Sequence, residues 1–381
     1  MRSNSLLIRG LLVTVLGGAL ATSSADSVED IQAQAISKRK AFDAEQRPES
    51  KCNLSNAPVR REWSSLTLLE RREYIDALNC LMEKPPITPP SEASGVRSRY
   101  DDLVATHINQ TLAIHGTANF LGWHRYFTWT LEKALREECG YKGYQPYWNW
   151  GKYAADPLHA PMFDGSENSL SGNGESVPHN RTQATPFTTL LPGPGGGCVR
   201  TGPFANMSVN LGPKAPTLDR VEAQTGNGLD YNPRCLRRDI SAEASNGWTK
   251  TSDIVSLITQ SKEIYWFQTI MQGEFQKGFL GVHTGGHFTI GGDPGGDLYV
   301  SPGDPAFWIH HGMIDRVWWI WQNLEPETRL QAISGTITIS NRPPSRNGTL
   351  EDLTDLGVNA PPVPLGQLLD TMSGPFCYTY E

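Results

Sequence analysis

The chain has 381 residues, 38% of them hydrophobic, and a formal net charge of −7 at pH 7. That is enough apolar material for a sizeable core, which excludes a disordered or fibrous chain. The acidic balance argues against nucleic acid or an anionic membrane as a partner.

The chain opens with "MRSNSLLIRGLLVTVLGGALATSSA", where Arg2 and Arg9 precede an apolar run and Ala19-Leu20-Ala21 makes a small-residue cleavage pattern. This predicts a secretory signal peptide over residues 1–21, with a cut as late as residue 25 also fitting. The apolar run is well short of the ~20 residues that span a bilayer, so a secreted, extracellular product without a membrane anchor is expected. The basic pair Lys38-Arg39 suggests a processing site, leaving one domain over residues 40–381. Export makes the six cysteines legible as three disulfides, for which fifteen pairings are open. Local proximity favours Cys52 with Cys80 and Cys198 with Cys235, leaving Cys139 with Cys377. Five Asn-x-Ser/Thr sequons, at Asn53, Asn109, Asn180, Asn206 and Asn347, fit a secreted glycoprotein.

The first clear helix is "SSLTLLERREYIDALNCLMEKPP", opened by a Thr67-x-x-Glu70 capping box and stopped by Pro85-Pro86. In "SRYDDLVATHINQTLA" the apolar residues Tyr100, Leu103 and Val104 share helical spacing with His107, which turns that imidazole inward. A third helix, "WHRYFTWTLEKALREECG", closes at Gly140, and a fourth, "SDIVSLITQSKEIYWFQTIM", is capped by Ser252 or Asp253. The last, "DPAFWIHHGMIDRVWWIWQ", has Asp304 as cap, Pro305 in its first turn, and an end near Gln322. Residues 149–251, rich in Gly, Pro, Ser and Asn, read as long loops on the same domain, and there is no internal repeat. The fold class expected is mainly α, with little β.

Seven of the nine histidines fall in two groups: His107, His115 and His124, then His283, His287, His310 and His311. One buried histidine is ordinarily a packed core residue, but clustered imidazoles repel once charged and are favoured together when neutral and bound to metal. With no cysteine or carboxylate among them, the donors suit copper or zinc, and two sets of three suggest a metal pair with open positions. A dizinc hydrolase would normally add bridging carboxylates, which these segments lack. His283 and His287 sit four apart in "HTGGHFTIGGDPGGD", with Gly285 and Gly286 between them. Each glycine costs a helix on the order of 1 kcal/mol, so a close backbone approach, a ligand or a metal must offset it.

The segments "HGTANFLGWHRYFTWTLEKALREECGYKGYQPYWNW" and "HTGGHFTIGGDPGGDLYVSPGDPAFWIHHGMIDRVWWIWQ" resemble the two copper-binding regions of the tyrosinase, catechol oxidase and molluscan haemocyanin superfamily, above all its short secreted fungal members. The resemblance runs from about Trp63 to Gln322. It implies a four-helix bundle around two copper ions, the first held by His107, His115 and His124 and the second by His283, His287 and His311. Helical phase does not choose between His310 and His311; the family pattern selects the later one and leaves His310 to packing. It further implies that O2 and small phenols are the partners, that o-diphenols (with o-aminophenols, and monophenols slowly) become o-quinones, and that Glu274 orients a water beside the metals. Thr284 stands where efficient tyrosinases often carry asparagine, which puts monophenol hydroxylation in doubt. Gly286, Phe288 and Leu298 are expected at the substrate, with Leu298 giving an open entrance. Ala113 replaces a cysteine that many relatives link to the second ligand, Asp315 and Arg316 match a structural ion pair, and no C-terminal shielding domain follows. A haemocyanin-like oxygen carrier would use the same histidines, but with a site closed to phenols.

Overall fold

A computed structural model describes residues 27–381, so the expected signal peptide lies outside the described residues. Ser27 opens helix α1 (Val28–Gln46) with a reciprocal cap: its hydroxyl accepts from the Asp30 N–H, and the Asp30 carboxylate accepts from the Ser27 N–H. Val28, Ile31 and Ala35 face the core, and the fully buried Arg39 forks between Asp43 and Asp370. The domain start expected at residue 40 therefore falls inside a packed helix, and Lys38-Arg39 is not an exposed linker.

Helix α2 (Leu68–Glu83) begins at the expected Thr67–Glu70 box. Helix α3 (Arg99–Ile114) is capped by Ser98, whose hydroxyl accepts from the Asp101 N–H; it ends so that His115 lies just past it in extended backbone. Helix α4 (Phe120–Glu138) starts three residues before the expected helix and takes in His124. Then come α5 (Trp150–Tyr153), α6 (Ala242–Trp248), α7 (Thr251–Gln260), α8 (Ile264–Gln272), α9 (Gly281–Ile290), α10 (Ala306–Leu324) and α11 (Pro326–Arg329). The single helix expected over 252–271 is two, because the Trp321 indole N–H draws the Ser261 carbonyl out of the helical ladder at 2.7 Å. Lys250, not Ser252 or Asp253, is the cap, with the Asp253 carboxylate accepting from its N–H.

Helix α10 is buried from Ala306 to Asn323, all round and not along one stripe, as befits the central element of a bundle. Helices α1, α4, α7 and α9 pack against it, α3 packs on α4, and α2 lies against α3 and α4. Among the described residues, β structure amounts to five two-stranded sheets. Most of these organise the region between α5 and α6, whose Leu170, Val199, Phe204, Leu211 and Leu236 join the main core. One sheet pairs Val59–Arg60 in parallel with Thr379–Tyr380, bringing the C-terminal tail beside the segment between α1 and α2.

The disulfides differ from local expectation in two pairs of three. Cys198–Cys235 is as expected, but Cys52 joins Cys377 and Cys80 joins Cys139. Cys80 and Cys139 sit at the C-terminal ends of α2 and α4, which pack side by side, so the helix pair and not chain proximity sets the partner.

Candidate metal centre

The two histidine groups expected from the sequence meet inside the bundle. His107, His115 and His124 each offer a ring nitrogen within 4.8 Å of the others, and so do His283, His287, His310 and His311. The groups face one another: the His124 and His311 rings stack at 4.6 Å, and His115 lies 6.0 Å from His283.

In the first group the tautomer follows from local backbone. Nδ1 of His107 donates to the Tyr299 carbonyl at 2.8 Å, that of His115 to Thr111 at 2.9 Å, and that of His124 to Phe120 at 2.7 Å. A carbonyl only accepts, so each Nδ1 carries the proton and each Nε2 presents a lone pair. Nε2 of His107 and of His124 is buried without a protein partner. Such orphaned acceptors are costly unless a ligand meets them, and this fits a metal held through Nε2. In the second group Nε2 of His287 lies 3.3 Å from Nε2 of both His283 and His311, so three ring nitrogens converge. His310 differs: its Nε2 donates to the His283 carbonyl at 3.0 Å, which turns that nitrogen away from the convergence.

All seven imidazoles are held neutral. Burial is the first cause throughout, pushing His115 down to about 4 and His310 to about 3. His107, His124, His283, His287 and His311 are lowered further by burial and then by one another's charge. Neutral imidazole is the metal-binding form.

The glycine pair in α9 allows close packing, not substrate access. A Cβ on Gly286 would lie 2.2 Å from Cε1 of His310, and one on Gly285 would lie 2.7 Å from the Trp248 Cβ. Gly286, expected at the substrate, instead supports His310 from behind and is buried.

Two openings lead to the histidines. One is an apolar slot of about 230 Å³ lined by His115, His283, His287, Phe288 and Leu298, closed by Ala184, Pro186 and Ala215 of the intervening region. Those last residues carried no signal in the sequence. Phe288 is buried in its wall, and Leu298, 41% exposed, also lines it. The other is a groove of about 860 Å³ that shares His115, His283, Thr284 and Leu298 and includes Glu274. The Glu274 carboxylate is engaged by Lys277 at 2.7 Å, and the Thr284 hydroxyl donates to the Gln272 carbonyl at 2.7 Å.

Behind the histidines lies a buried charge cluster. Asp315, one turn after His311, does not pair with Arg316 as expected. It accepts from Arg125 at 2.5 Å, Arg60 at 3.2 Å, and the hydroxyls of Tyr378 and Tyr380 at 2.6 and 2.5 Å. Arg316 lies 4.8 Å over the Tyr147 ring instead. Burial pushes the Asp315 carboxyl up, but Arg125 and Arg60 outweigh it and leave its pKa lowered.

Comparison with known proteins agrees with this geometry. Residues 97–324 match the family model described as the common central domain of tyrosinase. Tyrosinase P of Aspergillus terreus is 40% identical over 343 residues, covering 87% of this chain and 94% of its own. N-acetyl-6-hydroxytryptophan oxidase ivoB of Emericella nidulans is 40% identical over 347 residues, covering 87% and 94%. The structure of a polyphenol oxidase from Thermothelomyces thermophila superposes with a TM-score of 0.88 at 42% identity, covering 93% of this chain and 97% of that one.

Proposed function

The chain belongs to the tyrosinase family of dinuclear copper oxidases, and from that premise we propose that it oxidises o-diphenols to o-quinones, accepts o-aminophenols, and acts slowly on monophenols. Two o-diphenols and one O2 give two o-quinones and two waters. The observation that carries this reading is the convergence of histidine ring nitrogens in two facing groups, reached through an apolar slot.

His107, His115 and His124 would hold one copper and His283, His287 and His311 the other, with His310 outside the ligand set. When bound, the copper pair supplies the two-electron exchange between diphenol and O2. The chain supplies the rest. Carbonyls of Tyr299, Thr111 and Phe120 fix the first set of rings in the binding tautomer. Phe288, Ala215 and Leu298 receive a planar ring and exclude water from one face of it. Glu274, paired with Lys277 at 2.7 Å, is the carboxylate on the groove wall that would take the hydroxyl proton.

Thr284 is why catechols come first. A monophenol must be deprotonated before it reacts, and this hydroxyl is already tied to the Gln272 carbonyl, where an asparagine amide would hold a water. An oxygen carrier would need the histidines closed to phenols; the slot and groove favour an enzyme. The working compartment proposed is extracellular: the described chain holds three disulfides, and none of its helices is long and apolar enough to cross a membrane.

The test is metal analysis with oxygen uptake on 4-methylcatechol and 4-methylphenol. Two coppers per chain, rapid uptake with the catechol and a lagging, slower rate with the phenol are expected. Comparable rates on both would overturn the catechol preference, and two coppers without uptake would overturn the enzyme.

A further inference from the structure

The two openings differ in a way that bears on what the substrate carries; the inference rests on the phenol-oxidase reading. Sites for drug-sized ligands occupy roughly 300–1,000 Å³. The slot, at about 230 Å³, falls below that range and suits a single ring, whereas the groove, at about 860 Å³, has room for much more. Both begin at His115, His283 and Thr284, so a ring seated in the slot would direct its free end into the groove.

The groove is made by one face of α8, by the turn carrying Gln276, and by the segment 334–347. Its chemistry is polar and close to neutral. Beyond the histidines its charged side chains are Glu274 and Lys277, which neutralise each other. Tyr265 on α8 is 48% exposed, and its ring offers a flat, amphipathic wall. Among the described residues the Tyr265 hydroxyl, the Gln276 side-chain amide and the Ser340 hydroxyl have no protein hydrogen-bond partner within the groove they line. An anionic tail would find no free cation there, and an alkyl tail would leave these donors and acceptors unmatched.

We propose that the substrate is a phenol bearing an uncharged appendage of hydrogen-bonding groups, about the bulk of a dipeptide amide, which lies in the groove along α8. Four probes that share one catechol ring test this on the copper-loaded enzyme: 4-methylcatechol, and dihydrocaffeic acid joined to glycylglycine amide, to glycylglycine with a free carboxylate, or to heptylamine. The glycylglycine amide should show a KM about tenfold below that of 4-methylcatechol, the yield of roughly two neutral hydrogen bonds, at similar kcat. The carboxylate and heptyl probes should gain much less. The double variant Tyr265→Ala/Gln276→Ala should raise KM for the glycylglycine amide toward that of 4-methylcatechol. Equal KM for all four probes, or the lowest KM for the heptyl or carboxylate probe, would overturn the proposal. Failure to oxidise even 4-methylcatechol with two coppers bound would instead overturn the phenol-oxidase reading beneath it.

Discussion

The adjacent histidines His310 and His311 divide labour through where their Nε2 atoms point. His311 Nε2 joins His287 at 3.3 Å, while His310 Nε2 donates to the His283 carbonyl at 3.0 Å. His311→Ala should therefore leave one copper per chain and cut oxidase activity well beyond the ~10–100-fold that loss of an outer-sphere partner costs. His310→Ala should retain two coppers and lose about 2–4 kcal/mol of stability, from a deleted core ring and a buried carbonyl without its donor. Metal analysis with thermal unfolding of the two variants checks both, and the reverse pattern would refute the ligand set. Gly286 belongs to the same arrangement, since a Cβ there would strike the His310 ring. Gly286→Ala should destabilise by about 1–3 kcal/mol or more through overpacking, and His310→Ala in the same chain should recover part of that loss. Thr284→Asn should raise the ratio of monophenol to catechol turnover several-fold. An unchanged ratio in oxygen-uptake assays would show that this position does not set the preference.

The helices carrying the histidines were legible because apolar spacing and imidazoles coincide in short stretches; His107 beside Tyr100, Leu103 and Val104 is an example, whereas the cap expected at Asp304 is Pro305, and the Asp304 carboxylate binds Arg238. What joins the helices to one another was not legible, because the partners lie far apart in the chain. Asp315 was matched to its neighbour Arg316, yet it binds Arg60 and Arg125, 255 and 190 residues away. The break between α7 and α8 likewise depends on Trp321, 60 residues from Ser261. The slot wall at Ala184 and Pro186 comes from a hairpin without periodicity. The Asp315 cluster ties α4 to α10 directly behind His124 and His311, so its loss should be felt at the metals. Asp315→Asn should destabilise by about 3–5 kcal/mol, as buried guanidinium groups lose their counter-ion. Because the folded-state pKa of Asp315 is lowered, its contribution is present above the unfolded carboxyl value and is lost only as pH falls through the lower folded value. Wild type and variant should accordingly converge in stability in strong acid and differ by a constant amount at neutral pH. A gap in melting temperature that grows from pH 6 to pH 8 would contradict this assignment.

At the scale of the whole molecule the N-terminal and C-terminal parts of the described chain, residues 39–60 and 370–380, are fastened together. Cys52 bonds Cys377, Val59–Arg60 pairs with Thr379–Tyr380, and Arg39 of α1 forks onto Asp370. The tail that follows Cys377 is also the source of Tyr378 and Tyr380, two of the four donors to Asp315. The 52–377 disulfide thus closes a loop of 325 residues and at the same time holds two hydroxyls against a buried carboxylate. Cross-linking so long a loop restricts the unfolded chain, and native disulfides of this kind contribute roughly 2–5 kcal/mol. Cys52→Ser/Cys377→Ser should lose that amount and should free the tail, so that brief proteolysis removes residues after 376 before the bundle is cut. With Tyr378 and Tyr380 gone, Asp315 retains Arg125 and Arg60, and copper should stay bound at low temperature while thermal inactivation quickens. Cys198→Ser/Cys235→Ser, by contrast, loosens only the region between α5 and α6 that supplies the slot wall, where a loop of 37 residues is closed. That variant should change KM for catechols more than it changes copper retention. If the first variant matched wild type in both melting temperature and tail proteolysis, the clamp between these two parts of the chain would not be what stabilises the helices that carry the site.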